Sequence, residues 1–141
     1  MRSLAALRAL STADRRLLFD ALAASALFRL ALHFVSLARL RAWAGRPGRG
    51  DRPVERIVWA VGSATRRVPG ATCLSSALTL QRLLCAHGHR SELHIGVARP
   101  GGVFAAHAWV ERDGRVLLGE GERDAYVRLV SWPSGERAQR G

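Results

Sequence analysis

The sequence predicts an α+β fold, with helices first and an antiparallel sheet after them. Apolar residues recur at helical spacing through Leu18, Leu22, Leu27, Leu30, Phe34 and Leu37, then again at Val54, Ile57, Val58 and Val61. From Glu92 onward the pattern changes to alternation, with Leu93, Ile95 and Val97 on one face. Asp113-Gly114 then separates two strand-like runs, "VFAAHAWVER" and "RVLLGE", as the strongest short hairpin signal.

Each element has its own local signal. Ser11 followed by Asp14 reads as a helix start, the serine capping and the acid in the first turn. Helical spacing continues to about Trp43, as one long helix or as two joined near Ala23-Ala24-Ser25. "AGRPGRGDRP" is rich in Gly, Pro and charge and reads as a linker, and "VERIVWAVGSATRRV" reads as the next helical region. A "PGAT" turn precedes a helix that opens at Cys73 and stops at Gly88, a suitable left-handed residue beyond a C-cap. "ELHIGVA", the two hairpin runs and "AYVRLVSW" read as strands. The expected organisation is residues 1–45 helical, 46–53 linker, 54–132 core and 133–141 polar tail, in one compact domain.

Bulk properties restrict the function classes. At 141 residues and 48% hydrophobic, the chain can bury a core without staples. The net charge of +11 comes entirely from arginine, a bias that fits a GC-rich coding sequence more simply than a need for guanidinium. These arginines are scattered singly and in pairs without aromatic interleaving, so nucleic acid is not an expected partner. A basic docking surface for an acidic protein or peptide fits equally well. Asp20, Arg29, His33 and Arg39 interrupt the apolar stretch from Leu17 to Leu40, which favours a packed amphipathic helix over a membrane span or membrane-surface contact. Cys73 and Cys85 on one helix are ~18 Å apart along its axis and cannot pair. With no signal-peptide pattern, a reducing cytoplasm is the expected location.

The candidate chemistry lies at Cys73 and His107. The first turn of a helix has free N–H groups and about half a positive charge, which together favour a thiolate and can hold an oxyanion. In a two-residue hairpin centred on Asp113-Gly114, Arg112 opposes Arg115, and the same register carries His107 opposite Glu120. A carboxylate beside an imidazole fixes its tautomer and steadies the imidazolium. Cys73, His107 and Glu120 are then the parts of a thiol-protease constellation. Asp113 is an alternative acid, better explained by turn chemistry.

"PGATCLSSALTLQRLLCAHGHRSELHIGVAR" followed by "FAAHAWVERDGRV" resembles the stand-alone leader-peptidase form of the lasso-peptide biosynthesis B proteins. These are transglutaminase-like, papain-related cysteine proteases. The resemblance covers about Ile57 to Leu118 and implies a Cys helix packed on an antiparallel sheet that bears the His. It implies Cys73 as nucleophile and His107 as general base and acid, in removal of the leader from a ribosomally made precursor peptide. A separate leader-recognition protein and an ATP-using macrolactam cyclase are the implied partners. The family normally places Asp on the strand after the histidine, where this chain has Glu120. Thr72 and Trp109, beside the two reacting groups, are candidate substrate contacts, although a core tryptophan is the plainer reading of Trp109. An acyltransferase and a non-catalytic peptide-binding module of the same fold are the alternative readings.

Other polar residues have plainer explanations. Cys85 reads as core, and Ser75 and Ser76 as local hydrogen-bonding residues. "CAHGH" lacks a fixed geometry and a fourth ligand, so no metal is expected there, and the chemistry requires no cofactor. His94 points away from Leu93 and Ile95, and the sequence assigns it no role.

Overall fold

The computed structural model describes residues 5, 8–70, 72–98, 105–118 and 127–133. Among the described residues, four helices with defined bounds precede a four-stranded antiparallel sheet, so the α+β expectation holds. The helices are α1 (Thr12–Ala31), α2 (Leu37–Ala44), α3 (Val54–Thr65) and α4 (Cys73–Ala86). The strands are β1 (Glu92–Ala98), β2 (Ala105–Arg112), β3 (Arg115–Leu118) and β4 (Val127–Pro133), in spatial order β3-β2-β1-β4. Among the described residues, no helix is long and apolar enough to cross a membrane.

Ser11 caps α1 as its sequence predicts, its Oγ accepting from the Asp14 N–H at 3.1 Å. Leu17, Leu18, Ala21, Ala24, Ser25 and Phe28 form the buried stripe of α1. The break expected near Ala23–Ser25 falls later. Ala24 and Ser25 are buried in mid-helix, and α1 stops at Leu32 because Ser36 starts a new helix by accepting from the Arg39 N–H. The apolar stretch also divides: Phe28 and Leu40 are core, whereas Phe19, Leu30 and Phe34 are exposed. Phe28 packs on Trp43 of α2 with ring centroids 4.9 Å apart.

α4 is the central helix. It packs against α1, α2, α3 and β2, and Ala77, Leu78, Thr79, Leu80, Gln81, Leu83 and Leu84 are all buried. Arg82 keeps its charge satisfied by donating to the Trp43 carbonyl at 3.2 Å and lying over the Trp43 ring.

The segment between α2 and α3, read from the sequence as a linker, is bound along the end of α4. Gly48 N–H donates to the Cys85 carbonyl at 3.2 Å and Gly50 N–H to the Ala86 carbonyl at 2.9 Å. Those are carbonyls that a helix end otherwise leaves without partners. His87 Nδ1 accepts from the Arg52 N–H at 3.2 Å, and His89 Nε2 donates to the Arg52 carbonyl at 2.7 Å. The strap is then tied to α1 by Asp14, which receives Arg52 at 2.6 Å and Arg56 at 2.8 Å. Cys85 is buried, as expected, and the histidines of "CAHGH" hold the strap.

In the sheet, β1 pairs with β2 so that Gly96 opposes His107, His94 opposes Trp109 and Glu92 opposes Glu111. Leu93, Ala108 and Val110 occupy the other face and join the apolar core. The β2–β3 hairpin turns at Asp113 (φ 52°) and Gly114 (φ 78°), the two left-handed residues of a type I′ turn. Its register starts as predicted, with Arg112 opposite Arg115 and Glu111 opposite Val116, but Val110 then opposes Leu118. A β-bulge has inserted one residue into β3. The inference that His107 faces Glu120 needs the original register to continue, and the bulge removes that premise. Glu120 itself lies outside the described residues.

A Cβ at Gly48 would clash with the backbone carbonyl of Ala86, which cannot move without unwinding α4. Gly48→Ala is therefore expected to cost about 1–3 kcal/mol, measured by denaturant melts against wild type. His87 supplies a pH dependence. Its burial holds the imidazole below the ordinary value of 6.5, and the Arg52 N–H also needs Nδ1 unprotonated. A folded-state value below the unfolded one means this contribution is intact above pH 6.5 and is lost as pH falls through the lower folded value. Melting temperature should drop over that range in wild type and drop less in His87→Gln.

Candidate active site

Cys73 is the first residue of α4 and is exposed. Its position is set by Thr72, the N-cap. Thr72 Oγ1 accepts from the Ser75 N–H at 3.1 Å, and Ser75 Oγ accepts from the Thr72 N–H at 2.9 Å. This reciprocal capping box engages the N–H groups of Thr72 and Ser75, while those of Cys73 and Leu74 belong to the first turn, where an α-helix supplies no carbonyl partner of its own. Thr72, expected as a substrate contact, has its hydroxyl engaged in the cap. The preceding turn uses Gly70 at φ 74°, where a side chain would also collide with the Arg29 guanidinium of α1.

His107 is half-buried on β2. It lies opposite Gly96, whose lack of a side chain leaves room for the imidazole over β1. Its ring is near-parallel to that of Trp109, with centroids 6.1 Å apart and planes at 21°. Trp109 is only 1% exposed, so the core reading of this residue holds and it backs the imidazole from within instead of lining an open surface as a substrate contact would.

α4, which carries Cys73, packs along β2, which carries His107. Gln81 and Cys85 share a cavity with Glu111 and Arg112, and Arg112 Nη1 donates to the Arg90 carbonyl just beyond α4 at 2.6 Å. The C-terminal halves of helix and strand thus lie together. Counting back from Gln81 to Cys73 covers ~12 Å of helix. Counting back from Glu111 to His107 covers ~13 Å of strand. Cys73 and His107 thus both lie on the N-terminal side of that shared cavity, one on each element. Asp113 is carried to the other end, ~20 Å along β2 from His107, with its side chain 89% exposed in the turn. It serves the type I′ geometry and is not brought to His107.

A polar cluster that the sequence reading did not assign lies behind Trp109. His94 is fully buried, with Nε2 3.0 Å from Glu111 Oε2 and 3.3 Å from Glu92 Oε2. Its Nδ1 lies 2.7 Å from Ser131 Oγ of β4, and its ring is 5.5 Å from that of Trp109. Trp109 Nε1 donates to Glu111 Oε1 at 3.3 Å. The alternation of Glu92 and His94 with Leu93, and of Trp109 and Glu111 with Val110, was available as a signal. The β1–β2 register was not, because six residues separate those strands in the sequence and do not specify which positions pair.

The profile of the transglutaminase-like superfamily matches residues 16–131, from α1 to β4. The chain belongs to that superfamily. No curated protein and no solved structure gives a significant match. The transglutaminase-like core here consists of α4, with Cys73 at its start, packed on the antiparallel sheet with His107 on β2. Membership is compatible with cysteine-peptidase or acyltransferase activity, both of which pass through a thioester.

The capping box yields a stability test at the site. Thr72→Ala should destabilise the transglutaminase-like core by about 1 kcal/mol, whereas Thr72→Ser should retain nearly all of its stability. Denaturant melts of the two variants check this.

Proposed function

We propose that the chain is a cysteine peptidase that removes the leader from a ribosomally made lasso precursor peptide. The observation that carries this reading is the exposed Cys73 at a capped helix start, on a helix packed against the strand that bears His107. The superfamily match over residues 16–131 supports thioester chemistry, and the "PGATCL" and "HAWVERDG" motifs support the leader-peptidase branch.

In this mechanism His107 takes the proton from the Cys73 thiol, and the sulfur attacks the scissile carbonyl. Negative charge forms on the carbonyl oxygen, where the N–H groups of the first turn of α4 can receive it. Collapse expels the amine, which takes a proton from the His107 imidazolium, and a thioester remains on Cys73. Water, deprotonated by His107, then releases the acid and restores the thiol. Glu120 is the proposed orienting acid. A separate leader-recognition protein and a macrolactam cyclase are the proposed partners, in a reducing cytoplasm that keeps Cys73 reduced. Acyl transfer is the second reading, because an amine in place of water resolves the same thioester.

Incubation of the full chain with a tagged precursor, with and without the recognition protein, should give two fragments by mass. Cys73→Ala and His107→Ala should each lower the cleavage rate by at least about a thousandfold while remaining folded by circular dichroism. Full cleavage by Cys73→Ala would overturn the assignment. A precursor mass gain matching an added amine would select acyl transfer.

A further inference from the structure

We propose that Glu92, His94 and Glu111 form a divalent-cation site of the zinc class, joining β1, β2 and β4 behind Trp109. The proposal is independent of the peptidase reading, because Cys73 and His107 take no part in it. The three ligating atoms lie within 4.8 Å of one another, with His94 Nε2 at 3.0 Å from one carboxylate oxygen and 3.3 Å from the other. Tetrahedral bonds of 2.0–2.2 Å put neighbouring ligand atoms roughly 3.2–3.6 Å apart, so each His94–carboxylate pair needs only a few tenths of an ångström of spreading, and the two carboxylate oxygens, within 4.8 Å of each other, need only side-chain rotation of the exposed Glu92.

The remaining polar atoms of both inner ligands are held from behind. Coordination through Nε2 requires the His94 proton on Nδ1, and Ser131 Oγ lies 2.7 Å away to accept it. Glu111 has its other oxygen fixed by the Trp109 indole N–H at 3.3 Å. These outer contacts aim Nε2 and Oε2 at a common point, and His94 and Glu111 are both buried. Glu92 is 54% exposed and forms the outer side, where a cavity of about 790 Å³ reaches both carboxylates. A path from solvent therefore exists. Arg41 and Arg112 also line that cavity, and Arg112 directs its guanidinium to the Arg90 carbonyl. A neutral imidazole and two carboxylates carry a charge of −2, which a divalent ion cancels. One nitrogen and two oxygens with an open fourth position suit zinc better than magnesium, which prefers six oxygens.

The test is calorimetric titration of the full chain carrying Cys73→Ala, so that the thiolate cannot take the metal. Zinc should bind at one ion per chain, and magnesium far more weakly. In that background Ser131→Ala should weaken zinc binding by about 10–100-fold and His94→Ala should abolish it. Because His94 is buried and its replacement can unfold the sheet, the exposed Glu92→Gln variant is decisive. It should fold and bind zinc at least about tenfold more weakly. Failure of the parent to bind zinc, or unchanged affinity in Glu92→Gln, overturns the proposal.

Discussion

Burial of α4 on nearly every side is the constraint from which the rest of the molecule follows. A helix enclosed by three other helices and a sheet cannot leave its terminal N–H and C=O groups to water, so both ends need partners from the chain. At the C-terminal end the partners are the backbone N–H groups of Gly48 and Gly50, which explains why a Gly- and Pro-rich segment is laid against it. A side chain at Gly48 would meet the Ala86 carbonyl and one at Gly50 the His87 ring. At the N-terminal end the Thr72–Ser75 box engages one backbone N–H of each residue and does not reach those of Cys73 and Leu74. Cys73 itself is exposed there, and first-turn donors beside an exposed thiol are what a nucleophile needs. The same requirement for satisfied helix ends therefore yields a closed end and a chemically open one.

The sheet divides its labour by face. Leu93, Ala108 and Val110 contribute to the apolar core, while His94, His107, Trp109 and Glu111 alternate with them. Polar groups buried this deeply are costly unless mutually satisfied. Here Trp109 supplies a donor to Glu111, which pairs with His94, which in turn meets Ser131. This chain of contacts holds the indole in place, and the indole lies against the His107 ring. The orientation of His107 thus rests on groups two and four residues along its own strand and on two neighbouring strands.

The parts legible in the sequence were those fixed by local chemistry. Ser11, Gly88 and the Asp113-Gly114 pair each act within a few residues, and their caps and turn are found where the sequence puts them. The opening of α4 at Cys73 follows likewise from Thr72 and the glycine turn before it. What failed depended on tertiary packing. The α1–α2 break could not be located because Ala23-Ala24-Ser25 suits a helix interior once Ala24 and Ser25 have something to pack against. The bulge at Val110 was invisible because nothing in "RVLLGE" announces an extra residue, so the geometric route to Glu120 was lost with it. The His94 cluster needed a strand register that no short turn encodes.

Asp14 ties these levels together. As a first-turn acid it belongs to the N-terminus of α1, and sequence reasoning gave it only that role. In the folded chain it also receives Arg52 and Arg56, and the Arg56 guanidinium holds its carboxyl below the ordinary carboxylate range. Arg52 is the residue whose backbone N–H and carbonyl meet His87 and His89. One carboxylate thereby couples the start of α1, the start of α3 and the strap that closes α4. The coupling is geometric: moving Arg52 would shift both the strap and the helix end it satisfies. An exposed ion pair of this kind contributes little by itself. Its consequence here comes from the backbone it positions, because Arg52 anchors the strap whose Gly48 and Gly50 N–H groups satisfy the end of the helix that carries Cys73.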